Sequence, residues 1–527
     1  MDKSFDKILI VDFGYSGAME LAQIVREQGV YSEIVPASKC MQAIADENPK
    51  GLIFVGGNES SVNAPDAPLI PKEIFNLDIP ILAFGYGMNV IAHVLGGKVE
   101  NGGSLTKSRS PYYQPYEQLL MIHSKDYQDL FELDNGIAFF AKIHTEEYVR
   151  ELPEGFVSLC RNFEDGKRGG MKNEKGNIYA FRFDPVTTTR HRIEKIVDNV
   201  LLKKTQISKN WETRHIISFL KQQIQTQVQD KKVLLALSGG VDSTVLSHLI
   251  SSVIGSKLTC VFVNTGLMRK GESEEVKERF ENKDFRFIYI DAKDRFLSAL
   301  KGVIDPEEKR RVIGEQYIRV FEESAREIGD VDLLAQGTIY ADVVESGKGK
   351  DGKLVKSHHN VGGLPDVMRF KGIVEPFKNL LKAEVRMIGN ELGLPLCIIS
   401  RQPFPGPGLA VRIIGEVTQE KIKILQEADE IWRFAIEKYV EDLSEVSQYF
   451  AILTDMRTVG VRNGSRTYGY VLALRAVSTT DFMHAQALPF PTIVFNTAIE
   501  KITQRIPEIT RIVYDISDKP PATIEWE

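Results

Sequence analysis

The chain has 527 residues, 43% hydrophobic, 9% aromatic and 26% charged, a length sufficient for about three domains with separate cores. Lys and Arg number 66 against 72 Asp and Glu, a formal charge of −6, so the basic excess of a dedicated nucleic-acid binder is missing. Ordinary apolar content without charge blocks also excludes extended disorder. The four cysteines (Cys40, Cys160, Cys260, Cys397) are scattered with no C-x-x-C, which argues against a disulfide framework and a cysteine-type zinc site. The apolar segment 8–11 is too short for a signal peptide, and no apolar run reaches the roughly 18 residues of a membrane helix. The expectation is a cytoplasmic enzyme without membrane or nucleic-acid partners.

In chain order, short β-branched apolar runs fall at 8–11, 52–55 and 79–83, then at 233–237, 258–263, 287–290 and 333–335. Such runs fit parallel strands buried on both faces. Their alternation with helical stretches predicts an α/β fold of two doubly wound parallel-sheet units in series. A polar stretch at 201–214, including Lys203-Lys204-Thr205-Gln206, separates the two. The second unit ends at Arg401-Gln402-Pro403-Phe404-Pro405-Gly406-Pro407-Gly408, whose three prolines and two glycines exclude helix and central strand. A helix at 419–439 and an alternating strand at 470–477 then predict a C-terminal α+β domain. The expected division is 1–203, 204–400 and 401–527.

The strongest local signal is Leu237-Ser238-Gly239-Gly240-Val241-Asp242-Ser243-Thr244, a buried strand turning directly into a helix. The two glycines let successive N–H groups converge on one anion, and the helix start adds unpaired N–H groups and its positive dipole end. Ser238 and Ser243 add hydroxyl donors. This is a phosphate cradle, but it lacks the G-K-[ST] of a Walker A loop.

Ser-Gly-Gly-Val-Asp-Ser after a strand resembles the loop of N-type ATP pyrophosphatases, which cleave ATP between its α and β phosphates. Further segments narrow the resemblance: Cys260–Arg269 (CVFVNTGLMR), Leu334–Tyr340 (LAQGTIY), Lys356–Pro365 (KSHHNVGGLP), Arg401–Leu409 (RQPFPGPGL) and Lys519–Glu527 (KPPATIEWE). Together they look like glutamine-hydrolysing GMP synthetase over the whole chain. The resemblance implies adenylation of the C2 oxygen of xanthosine 5′-monophosphate (XMP), then displacement of AMP by ammonia to give GMP. It implies ATP and Mg²⁺ as cofactors, with Ser238, Gly239, Gly240, Val241, Asp242, Ser243 and Thr244 around ATP. Asp242 and Lys382 would be catalytic, with Asp242 also toward Mg²⁺. Arg311, His358, His359, Arg466, Lys519 and Glu525 would face the substrate nucleotide. His358-His359 beside Gly362-Gly363 reads as a substrate-covering loop rather than a metal site. A homodimer through the C-terminal domain is a further implication.

The first 200 or so residues resemble a class I glutamine amidotransferase domain. That chemistry needs a Cys on a strained G-x-C-x-G elbow, with a His base and a Glu from an F-H-P-E segment. The frame survives as Ala83-Phe84-Gly85-Tyr86-Gly87 and Phe183-Asp184-Pro185-Val186, but Gly85, Asp184 and Val186 occupy the three catalytic positions. The expectation is a ligase fed by free ammonia, with no glutaminase activity. Asn58 and Asn89 also depart from the family's usual Pro and Gln. In the synthetase part, Asn264 replaces an Asp, Val461-Arg462-Asn463-Gly464-Ser465-Arg466 replaces Val-x-Gly-Asp-x-Arg, and Asp518 precedes Lys519. These leave open a different purine-like lactam, a different nucleophile such as a sulfur donor, or a non-catalytic nucleotide-binding regulator.

Overall fold

The computed structural model describes residues 5–57, 61–102, 116–131, 133, 136–329, 331–347, 370–479 and 484–527. The chain divides into two compact units, residues 1–215 and 216–527. Both carry the expected parallel sheets.

In the first unit, nine described strands form one sheet. Five run parallel, in the order Tyr31–Pro36, Lys7–Asp12, Gly51–Gly56, Ile81–Gly85 and Ile178–Phe181. The strand expected at 79–83 begins instead at Ile81. Pro80 has no N–H for a ladder, and its carbonyl accepts from Leu52 N at 2.9 Å. Arg168–Asn173, Phe156–Asn162, Glu117–Ile122 and Ala138–Lys142 extend the sheet antiparallel. Their mixed exposure, as in Phe156–Asn162 (FVSLCRN), hides them from a search for continuous apolar runs.

The second unit begins with a parallel sheet ordered Arg286–Asp291, Leu258–Asn264, Val233–Ala236, Leu333–Ala335 and Gly372–Val374. The chain builds outward from Val233–Ala236 to one side, then crosses to Leu333–Ala335 on the other. The strand order therefore reverses between these two, and the crevice beyond their C-terminal ends is where open α/β sheets hold ligands.

Beyond it, helix Gln419–Tyr439 starts where the Thr418 hydroxyl accepts from Lys421 N at 3.2 Å. The hairpin Gln448–Arg462 and Ser465–Ser478 turns on Asn463 (φ 50°) and Gly464 (φ 76°), and Ile509–Tyr514 pairs parallel to its second strand. The expected strand at 470–477 lies within Ser465–Ser478. Leu234, Val261 and Leu334 of the parallel sheet share one hydrophobic core with Leu409, Ile413, Trp432 and Leu472. Residues 216–400 and 401–527 are thus fastened by common packing.

Candidate active site

Strand Val233–Ala236 delivers the Ser238 loop to the crevice, and helix Val241–Ile254 carries it away. Gly239 has φ +77°, a conformation that side chains resist. The loop is tied from inside: the Ser238 and Ser243 hydroxyls lie 2.9 Å apart, and the Ser243 hydroxyl accepts from Ser238 N at 3.2 Å. Thr244 is fully buried one residue further on, and Val241 packs inward.

Lys382 opens helix Lys382–Glu391, whose first turn is closed by Glu384 accepting from Leu381 N at 2.6 Å. Its ammonium donates to Asp242 Oδ2 at 2.5 Å. The two residues assigned catalytic roles from sequence are therefore in contact across 140 positions. Asp242 Oδ1 is buried without a hydrogen-bond partner, as is Gln336 Nε2. Gln336 follows the neighbouring strand, and a methyl group on Gly337 would stand 3.6 Å from Asp242 Cβ. An orphaned carboxylate oxygen fits a hard cation such as Mg²⁺. No cluster of three or more His, Cys, Asp or Glu able to hold a metal occurs among the described residues. Phosphate oxygens and water would complete the shell.

The Pro-rich segment reaches both this loop and the C-terminal tail. Arg401 Nη1 donates to Gly239 O at 3.1 Å. Gly408, at φ +65°, lies so close to the next strand's loop that a methyl group there would meet Leu267 O at 2.3 Å. Arg412 is buried, with Phe450 4.0 Å and Phe404 5.3 Å beneath its guanidinium, and donates to both oxygens of Glu525 at 2.7 and 3.0 Å. Buried Lys309 holds Glu527, and Arg475 donates to Thr523 O at 2.8 Å and Ile524 O at 2.9 Å. Arg269, over Phe404 at 4.8 Å, has its pKa pushed down to about 10 by burial.

Lys519 exchanges backbone hydrogen bonds with Ala485, while Asp518 Oδ1 accepts from Ala487 N at 2.8 Å. Glu525 and Lys519 thus sit on one anchored tail. Arg311 is exposed on helix Pro306–Ile328 and pairs with Glu308 at 2.8 Å and Glu315 at 2.5 Å, contacts that lie along its own helix. Arg466 is exposed beside the hairpin turn, opposite Val461. His358 and His359 lie outside the described residues. Sequence reasoning passed over Arg412 and the Arg401 contact because their partners stand 113 and 162 positions away.

In the first unit, Gly85 sits at the strand-to-helix corner with φ 56° and ψ −123°. The sharp elbow is intact, and Gly87 remains necessary because a methyl group there would meet Phe54 O at 2.6 Å. Strand Ile178–Phe181 runs beside Ile81–Gly85 with Phe181 opposite Phe84, which brings the 183–186 segment to the same sheet end. There Asp184 is saturated: Oδ2 accepts from the Tyr15 hydroxyl at 2.8 Å, and Oδ1 from Val186 N, Thr187 N and Thr187 Oγ1 at 2.8–2.9 Å. Burial, reinforced by Asp184, raises the Tyr15 pKa strongly. Val186 packs against the apolar core, near enough to Gly17 that a methyl group there would meet it at 2.8 Å. Asn89 is buried with its amide 3.5 Å from Glu147 Oε2 and its own Oδ1 unpartnered. Burial raises the Cys160 and Cys260 thiols and pushes Cys40 up to about 11, so none of the three favours thiolate.

Residues 9–204 match the family model for glutamine amidotransferase class-I, 212–314 that for NAD synthase, and 437–526 that for the GMP synthase C terminal domain. A protein of Treponema denticola named GMP synthase (glutamine-hydrolyzing) is 48% identical over 533 residues, spanning 100% of this chain and 98% of the relative. An Acetivibrio thermocellus protein of the same name is 47% identical over 521 residues, spanning 99% of each. With the loop, the Asp242–Lys382 contact and the anchored tail in place, likeness at this level over the full length means that the chain belongs to the GMP synthase family.

Proposed function

We propose that the chain is an ATP-dependent ligase that adenylates the C2 oxygen of XMP and aminates it with free ammonia, yielding GMP, AMP and pyrophosphate without hydrolysing glutamine. The observation that carries the reading is the Lys382–Asp242 pair at the mouth of the Ser238 loop, where the sheet's strand order reverses. The loop's N–H groups and the helix start bind the departing pyrophosphate. Lys382 faces the charge that develops as the bond between α and β phosphorus breaks. Mg²⁺, when bound, would be held by Asp242 with phosphate oxygens and would neutralise part of that charge. Lys519, fixed by its backbone bonds to Ala485, and Glu525, held by Arg412, line the acceptor nucleotide. The segments 1–203, 204–400 and 401–527 then supply an amidotransferase-like domain, the adenylating domain and the nucleotide-binding domain.

The sequence departures have structural uses that leave XMP the favoured acceptor. Asn264 is buried, its amide donating to the Tyr289 hydroxyl at 2.6 Å and its oxygen accepting from Gly266 N at 3.0 Å. Asn463-Gly464 supplies the two positive φ angles of a tight hairpin, and Arg462 donates to Thr503 O at 2.6 Å. Asp518 fastens the tail. The ammonia-only reading rests on the absent thiol at Gly85 and the absent imidazole at position 184, with Asp184 engaged in turn bonds. Exposed Val461 and Tyr468 on one hairpin face support a homodimer.

The chain is incubated with ATP, Mg²⁺ and XMP, supplied with either ammonium or glutamine. GMP and pyrophosphate are expected with ammonium; with glutamine, neither GMP nor glutamate should exceed background. Glutamate release would refute the ammonia-only reading, and failure to form GMP from ammonium would refute the ligase.

A further inference from the structure

We infer that Arg401 is a positioning residue that fixes the peptide of Gly239, and so decides whether the Ser238 loop can bind pyrophosphate. The inference rests on the proposed reading of that loop. Consecutive glycines at 239 and 240 give the chain its tight turn, but they also make rotation of the peptide between them cheap. Rotation would turn the Gly239 carbonyl toward the anion and the Gly240 N–H away, exchanging a donor for a repelling acceptor. Within the loop, Gly240 N has the Ser238 hydroxyl at 3.3 Å, a long contact and a weak restraint.

Arg401 supplies the missing restraint from outside. Its Nη1 donates to Gly239 O at 3.1 Å, while Nη2 faces Glu272 Oε1 at 3.0 Å and Glu275 Oε2 at 3.6 Å. Glu272 is itself buried at the start of helix Glu272–Phe280 and accepts from Arg269 N at 3.0 Å, so the anchor is rigid. The Arg401 carbonyl is met by Arg386 Nη2 at 3.4 Å, and Arg386 lies on the helix that Lys382 begins. With two carboxylates facing it, the guanidinium contributes little attraction for phosphate. Its effect is the orientation of one carbonyl, which needs the fork of Arg rather than the single charge centre of Lys.

Binding of inorganic pyrophosphate with Mg²⁺ is measured by calorimetry on the full chain, alongside KM for ATP and for XMP. Arg401→Lys should raise the pyrophosphate Kd and the ATP KM about tenfold, leaving the XMP KM within twofold. Unchanged pyrophosphate affinity, or an equal rise in the XMP KM, would overturn the assignment. Glu272→Gln separates positioning from direct contact. A guanidinium touching the anion would bind it more tightly once relieved of that carboxylate, whereas a clamp losing its anchor binds more weakly; tighter binding therefore refutes positioning. If the unsubstituted chain binds no pyrophosphate, the reading of the loop fails and takes this one with it. If it binds and Arg401→Lys binds equally, only the role of Arg401 fails.

Discussion

Gly408→Ala tests how the Pro-rich segment holds the two halves of the candidate site together. Gly408 has φ +65°, and an added methyl group would sit 2.3 Å from Leu267 O and 2.9 Å from Leu267 Cβ. The left-handed conformation costs an L residue about 1–2 kcal/mol, and relieving the overlap costs about 1–3 kcal/mol more. Moving the loops apart also lengthens the hydrogen bond from Leu409 N to Leu267 O, now 2.8 Å and worth about 1 kcal/mol. The expected loss is about 2–6 kcal/mol, the upper end if the hydrogen bond is lost entirely, read by urea denaturation followed by far-UV circular dichroism. Gly406 is the control, since a methyl group there meets nothing within 4 Å and its φ is not positive. Gly406→Ala should change stability by less than about 0.5 kcal/mol, or raise it slightly by restricting the unfolded chain. The Gly408 variant should also lose GMP formation below its unfolding midpoint, because Phe404, Arg412 and through it Glu525 depend on that packing. A loss below about 1 kcal/mol, or equal losses at both glycines, would refute this account.

Three further outcomes follow. Asp242→Asn should reduce ATP- and XMP-dependent pyrophosphate release at least 100-fold, since it removes the charge facing Lys382 and the oxygen proposed for Mg²⁺; residual turnover above a tenth of normal would contradict the role. Gly85→Cys should release no glutamate from glutamine, because Asp184 spends four hydrogen bonds on its own turn and Tyr15, and the new Cβ would stand 2.9 Å from Gly56 O. Activity from that single change would overturn the structural reading of Asp184. Burial alone would raise the Asp515 pKa, but Ser517, the Trp526 indole and Arg475 outweigh it and hold the carboxyl below its ordinary 3.8. A carboxyl depressed on folding stabilises above its unfolded pKa and loses that contribution as pH falls through the folded value. The melting temperature should therefore fall in this window below about pH 4, and Asp515→Asn should flatten that limb; an unchanged acid slope would exclude the link.

Local chemistry carried much of this molecule in readable form. Continuous apolar runs marked most of the parallel strands, because strands buried on both faces cannot alternate, but Tyr31–Pro36, Ile178–Phe181 and Gly372–Val374 were not among them. The Ser238 loop was legible because a glycine pair between strand and helix serves one geometry, and Asn463-Gly464 was visible as residues even though its hairpin was not foreseen. Gly85, Asp184 and Val186, standing where the amidotransferase resemblance expects a thiol, an imidazole and a carboxylate, were equally plain, since residue identity needs no coordinates. The antiparallel strands of the first unit escaped notice because half-exposed strands lack that signal.

Tertiary structure decided what depends on partners distant in sequence. Lys382 by itself is a lysine at a helix start; its meaning comes from the Asp242 oxygen 2.5 Å away. Arg311 carries the same charge and stays among its own helix's glutamates. The Tyr15 hydroxyl on Asp184, 169 positions away, and the support of Glu525 by Arg412 likewise appear only when the chain has closed. The physical reason is common to all four. Residue type sets which bonds a side chain can make, but burial and packing select the partner, and those are properties of the whole fold.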